Sequence, residues 1–367
     1  MNILYLTNHL DIGGITSYIL TLTEGLTSRG HHIYVASSAG GLREQLQKKK
    51  AGYFYIPIRV KNELHPQILL SFFKLLPKVK EKDIDIIHAN SRVTQVLASL
   101  LSRATGRPYI FTCHGFFKKK ISRIISPCWG RRVIAVSEEV KAHLKEDFRA
   151  KEEIIRVINN GIDINKFKVT SPNYKAQIKK EMGLSYAPLI GIVARLSDVK
   201  GHVYLIRAMP EIIKSIPAAQ LLIAGDGKMK KELVELAQNL GIMDKVFFIP
   251  AGKDTERLLS ALDVFVLPSL KEGLGLSLME AMACGLAVVG SDVGGIRSLI
   301  KTDETGILVG PKDTHAIASA VIGLLKDVQK REKLGDNARS FIRNHFPQEG
   351  MVLETERIYL ECLKEKG

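Results

Sequence analysis

The sequence predicts an α/β protein of two doubly wound domains in tandem, each a parallel sheet wrapped by helices. Short β-branched runs alternate with helical patterns from the first residue onward. A polar, turn-rich stretch, NNGIDINKFKVTSPNYK at 159–175, breaks that rhythm once before it resumes. The length of 367 residues also favours two cores of ordinary size over one.

The elements follow in order. NILYLTN is the first strand, followed by a glycine turn and a helix over 16–28 closed by Gly30. HIYVASS, a helix over 41–50 and YFYIPI come next; IDIIHAN, PYIFTCH and RVIAVS then each end just before a helical pattern. After the interruption, APLIGIVAR, AQLLIAGDG, KVFFIP, DVFVLPS and AVVGSD repeat the pattern, and helices close the chain from Thr314. The expected domains are 1–165 and 186–348, joined by a linker over 166–185. Two such domains put a cleft between the carboxyl ends of their strands, so functional residues should follow strands.

Composition narrows the class. With 46% hydrophobic and 25% charged residues the chain reads as globular, and no run approaches the roughly 20 apolar residues of a membrane span. The start MNILYLTNHLDIGG lacks the basic, apolar and small-residue order of a secretory signal. Cys113, Cys128, Cys284 and Cys362 are scattered, with neither metal-ligand spacing nor a disulfide framework, which fits a reducing cytoplasm. Net charge is +15; residues 1–165 hold 25 Lys and Arg against 14 Asp and Glu, whereas 166–367 hold 28 against 24. That basic first half suggests an anionic membrane surface or nucleic acid, or simply a solvated face. No nucleic-acid reading motif accompanies the charge, so nucleic acid is not expected as a partner.

The chemistry concentrates in KEGLGLSLMEAMACG at 271–285. A helix beginning at Leu276 or Ser277 and closed by Gly285 leaves its first amides without backbone acceptors, which makes a phosphate seat. Gly273 and Gly275 allow close approach of a ligand to the backbone. Glu272 precedes the seat and Glu280 lies one turn inside it. Their spacing alone leaves two readings: a loop acid with an acid complementing the helix dipole, or two carboxylates flanking a bound diphosphate.

PSLKEGLGLSLMEAMACGLAVVGSDVGG resembles the Glu, seven residues, Glu signature of retaining family-4 glycosyltransferases, whose GT-B fold sets two Rossmann-like domains face to face across a cleft. The resemblance implies that Glu272 contacts the donor sugar, that the Leu276 and Ser277 amides hold the diphosphate, and that Glu280 binds the ribose. In VARLSDVKGH, Arg195 and Lys200 match the cationic pair that meets the leaving diphosphate. Gly13 and Gly14 match a glycine-rich loop near donor phosphate or acceptor, and His114 in TCHGF matches a histidine reaching the donor sugar from the other domain. His88 and Arg92 are assigned to the acceptor side. Asp226 and the loop IPAGKD at 249–254 are expected near the nucleotide, without indicating its base. The terminal helix over 349–367 is expected to pack back on the first domain.

The family implies transfer of a hexose-type sugar from a nucleotide-diphosphate sugar, UDP or GDP, to a lipid-linked or saccharide acceptor hydroxyl with retained configuration. No side chain stands out as a nucleophile, so front-face attack through an oxocarbenium-like ion pair is expected, the departing phosphate taking the acceptor proton. No cofactor or metal is expected; Asp83 and Asp85 precede or begin their strand instead of following it. A nucleotide-sugar epimerase and a silent binding subunit are the rival readings.

For the acceptor side, HGFFKKKISRIISPCWGRR at 114–132 mixes aromatics with six Lys or Arg. It is the first candidate for docking on anionic lipid at the cytoplasmic face of a membrane. QILLSFFKLLPKVKEK at 67–82 is the second. In 114–132, Ile121, Ile124, Ile125 and Cys128 also fall at the spacing of an ordinary core-facing stripe.

Overall fold

The computed structural model describes residues 1–119, 123, 127–250, 252 and 254–365. The chain divides into two units: Met1–Gly161 with Gln348–Gly367, and Ile162–Pro347.

The first unit holds strands β1 (Asn2–Leu6), β2 (His32–Ser37), β3 (Gly52–Tyr55), β4 (Ile86–Ala89), β5 (Tyr109–Cys113), β6 (Arg132–Ala135) and β7 (Ile155–Val157). They lie in the order 3-2-1-4-5-6-7, all parallel. Strand order reverses between β1 and β4, the switch point at which open α/β sheets bind ligands. The helix Gly14–Ser28 follows β1, and Arg92–Thr105 follows β4. The latter is held by a capping box between Ser91 and Thr94 and stopped by Gly106 at φ 69. The helix Gln348–Lys364 completes this unit, contributing Met351, Val352, Ile358, Tyr359 and Cys362 to the same core as Ile3, Tyr5 and Ile19.

The second unit repeats the plan with β8 (Leu189–Val193), β9 (Gln220–Ala224), β10 (Val246–Ile249), β11 (Val264–Leu267), β12 (Ala287–Ser291) and β13 (Ile307–Val309). Their order is 10-9-8-11-12-13, again all parallel. Its switch point lies between β8 and β11. Within the span read as a linker, Pro172–Glu181 is a helix capped by Ser171. It is anchored in the unit by Lys175 and Lys179, which pair with Asp263 at 3.1 and 2.8 Å. The two Rossmann-like sheets agree with the expected fold class, while β7 and β13 were not foreseen.

Candidate active site

In the second unit the residues that follow β8 and β11 meet at the switch point. A short 3-10 turn, Asp198–Lys200, follows β8 and ends at Gly201, whose φ of 70 reverses the chain into the helix His202–Ser215. The Leu270 amide donates to the Val199 carbonyl at 2.8 Å and ties the two connections together. Lys200 Nζ then reaches Glu272 Oε2 at 2.5 Å, and the Ser269 hydroxyl donates to the same oxygen at 3.3 Å. Both partners are largely shielded, so this is a charge-assisted contact of more weight than a surface pair. The direct pairing of Lys200 with Glu272, and the part of Ser269 in it, escaped the sequence reading. Arg195 is exposed just beyond β8 and enters no ion pair among the described residues.

The helix Leu276–Ala283 starts at Gly275, at φ 98, with no side chain capping it. The Leu278 and Met279 amides both turn back to the Gly275 carbonyl at 3.0 Å, which leaves the Leu276 and Ser277 amides as the intrahelical orphans. Gly275 needs its left-handed backbone; Gly273 is buried without one. Glu280 sits half-buried one turn inside. Burial pushes its carboxyl up to about 7, with Lys166 opposing and Glu256 adding to the rise.

The sign of that shift gives a stability prediction. A carboxyl raised from 4.5 to about 7 keeps its proton in the folded state over that window, so folding is opposed increasingly as pH rises through it. Glu280→Gln is expected to stabilise the protein by on the order of 1–3 kcal/mol at pH 8 and by little at pH 4. Thermal unfolding of both proteins across that range checks it; a difference independent of pH would contradict the shift.

The first unit corrects several expectations. Gly13 has an extended backbone at φ 163, and an added Cβ there would meet nothing within 4 Å. Neither Gly13 nor Gly14 is held in a left-handed conformation, and the space beside Gly13 at the helix start is open. His88 does not line an acceptor surface: it is fully buried, with Nδ1 at 2.6 Å from the Tyr359 hydroxyl and Nε2 at 2.6 Å from Thr112 Oγ1. Arg92 is buried too, its guanidinium bonded to Glu63 at 3.4 Å and to Gln95 at 3.0 Å. His114 is half-buried beyond β5, its Nε2 at 3.1 Å from Asn90 Oδ1 and its ring edge-on to Tyr18 at 4.8 Å. Burial lowers His114 to about 3, so it is neutral. Asn90 and Tyr18 were not foreseen; Asn90, in the loop two residues before Arg92, was within reach of the strand-end rule.

Asp226 is exposed after β9, and residues 251 and 253 of the 249–254 loop lie outside the described residues. Asp83 pairs with Arg107, and Asp85 accepts from the Asn2 amide. In 114–132 the apolar positions Ile121, Ile124 and Ile125 lie outside the described residues. The aromatics there are taken up by the unit's own packing: Phe117 stacks on Phe111 at 6.0 Å, Phe116 meets His143 at 5.2 Å, and Trp129 meets Phe148 at 6.2 Å. The second candidate differs. The helix Gln67–Glu81 buries Ile68, Ser71, Leu75 and Val79, and still turns Leu69, Leu70 and Phe73 outward, with Leu64 just before it 80% exposed.

A family model described as Glycosyl transferases group 1 matches residues 175–341, and one described as Glycosyltransferase Family 4 matches residues 12–166. The chain is 30% identical to an uncharacterized glycosyltransferase of Methanocaldococcus jannaschii, over 97% of this chain and 96% of that protein. It is 26% identical to the Escherichia coli UDP-Gal:alpha-D-GlcNAc-diphosphoundecaprenol alpha-1,3-galactosyltransferase, over 90% and 89% of the two chains. Anabaena HepE in complex with UDP-glucose has the same fold, with a TM-score of 0.87 at 24% identity over 100% of both chains. Matched along both of its units by these comparisons, the chain belongs to the family-4 glycosyltransferases of group 1, enzymes of the GT-B fold that use a nucleotide-sugar donor.

Proposed function

We propose that this enzyme transfers a hexose from a UDP-sugar, with retention, to a hydroxyl of a lipid-linked or saccharide acceptor in cell-envelope synthesis. The observation that carries the reading is the uncapped start of Leu276–Ala283, set between Glu272 and Glu280 beside Lys200. The Leu276 and Ser277 amides, Lys200 and the exposed Arg195 take the diphosphate. A diphosphate arriving there competes with Glu272 for the Lys200 ammonium, and the released carboxylate is then available to the sugar hydroxyls. Glu280 accepts from the ribose, and neutral His114 contacts the sugar. The bond from the anomeric carbon to the phosphate oxygen breaks, the acceptor oxygen bonds to the same face, and the departing phosphate takes the acceptor proton. The cationic groups and amides neutralise that phosphate, and we assign no divalent cation to the step. UDP is favoured by the ligand of the HepE complex, and a lipid-linked acceptor by the substrate in the Escherichia coli relative's name.

Thermal shift with UDP, GDP and ADP in the presence of a chelator tests the donor site. Saturation at ~100 times the dissociation constant adds about 2.7 kcal/mol to stability. UDP is expected to shift the wild type, and Glu280→Ala to weaken that shift. No shift with any nucleotide at millimolar concentration would remove the assignment, and a shift with GDP alone would change the base.

The acceptor reading includes reversible docking on anionic lipid at the cytoplasmic face of the membrane, through the outward side of Gln67–Glu81. Among the described residues no helix is long and apolar enough to cross a membrane. Residues 59–82 carry six Lys or Arg against two Glu, flanking Leu64, Leu69, Leu70 and Phe73. Apolar insertion next to cations suits an anionic bilayer surface. Sedimentation with phosphatidylglycerol vesicles at low salt is expected for the wild type and not for the Leu70→Glu, Phe73→Glu double variant. Wild type that stays in the supernatant would sink this part of the proposal.

A further inference from the structure

His88 and Tyr359 have no place in the chemistry above, yet they lie in a continuous polar chain through the core of the first unit. The Tyr5 and Tyr359 hydroxyls are 2.8 Å apart, Tyr359 bonds His88 Nδ1, His88 Nε2 bonds Thr112, and Thr112 Oγ1 lies 3.2 Å from the Tyr18 hydroxyl. Four elements besides the terminal helix supply these groups: β1, the helix Gly14–Ser28, β4 and β5. Burial holds the His88 imidazole neutral, so one ring nitrogen donates and the other accepts, and on the accepting side the hydroxyl that donates to the ring must itself accept from the next tyrosine.

The chain reaches one contact of His114 through the Tyr18 ring, and the main-chain carbonyl of His88 reaches the other through Asn90. At one end, Tyr18 presents its ring edge-on to His114, at 78° and 4.8 Å. On the other side, the Asn90 amide nitrogen donates to the His88 carbonyl at 3.2 Å, which turns Oδ1 toward His114 Nε2. Since Oδ1 only accepts, Nε2 must carry the proton, and Nδ1 is left as the acceptor. His114 is thus held in one tautomer by Asn90, which the His88 carbonyl orients, and in one orientation by the ring of Tyr18, which the His88 side chain anchors through Thr112.

We propose that His88 and Tyr359 are positioning residues for His114, so that the helix Gln348–Lys364 sets the ring with which the first unit meets its substrate. The proposal rests on the sugar-contact reading of His114, and its test separates the two. Tyr359→Phe removes one hydroxyl while keeping the ring, and Thr112→Val breaks the same chain from the strand side should the first variant fold poorly.

Three measurements decide it: kcat and donor KM, imidazole nitrogen spectra of His114, and a cycle with His114→Ala. Tyr359→Phe is expected to lower kcat about tenfold with donor KM nearly unchanged, and to shift or broaden the His114 ring signals. In the His114→Ala background it is expected to cost nothing further, because the ring it positions is gone. Unchanged His114 signals, or losses that multiply in the double variant, would overturn the positioning role and leave Tyr359 a packing group. Full activity of His114→Ala, with its wild-type ring signals still moved by Tyr359→Phe, would refute the sugar contact and uphold the network.

Discussion

Replacing Gly201 with alanine is expected to destabilise the second unit by about 3 kcal/mol or more and to abolish transfer. Its φ of +70 already disfavours a side chain, and the new Cβ would stand 1.8 Å from the Pro268 carbonyl oxygen. That neighbour is backbone, with no flexible end to swing aside. Room for the methyl requires the loop after β11 to leave the loop after β8, and that movement separates Lys200 from Glu272. Gly183→Ala is the control, with a φ of +68 and nothing within 4 Å of the added carbon. It should cost only the backbone term, about 1–2 kcal/mol. Urea unfolding of both variants measures the difference, and equal losses would show that the close approach is relieved without consequence.

Lys200→Met is expected to reduce kcat by about 10²–10³-fold, the range for removing a preorganised group that meets charge developing in a transition state. The single variant leaves Glu272 without its ammonium, so a stability change alone would not identify the role. Lys200→Met combined with Glu272→Gln removes that complication: the uncompensated carboxylate is gone and the unfolding midpoint should recover, while transfer should not. Recovery of both would reduce the pair to scaffold. Single-turnover transfer, with unfolding monitored in parallel, makes the comparison.

The strands were legible where they are buried on both faces. IDIIHAN, PYIFTCH and DVFVLPS each carry a short apolar run, Ile86–Ile87, Tyr109–Phe111 and Val264–Leu267, as central parallel strands do. β7 and β13 were missed because each has only three residues, too short a run to stand out, whereas the longer edge strands β3 and β10 were legible. The helix start at Leu276 was legible because its glycines and acidic flanks are local in sequence. The Lys200–Glu272 pair was not, since 72 residues separate its members and only the adjacency of β8 and β11 brings them together. His88 failed for a related reason: its position after an apolar run marks a strand but not the direction its ring faces. Tyr359, 271 residues away, closes over it. The ring contacts of the 114–132 aromatics were not legible, because an amphipathic count registers none of Phe111, His143 and Phe148, which they meet.

The placement of Gln348–Lys364 has a consequence for biosynthesis. The first unit is discontinuous in the chain, because its last helix is made after all of Ile162–Pro347. On the ribosome the sheet β1–β7 emerges early but waits for Met351, Val352 and Tyr359 to cover Tyr5 and Ile19. Residues 162–347 form an uninterrupted stretch and can close on their own core in the meantime. The usual vectorial order of domain folding is thereby inverted, and the half that is translated first is finished last.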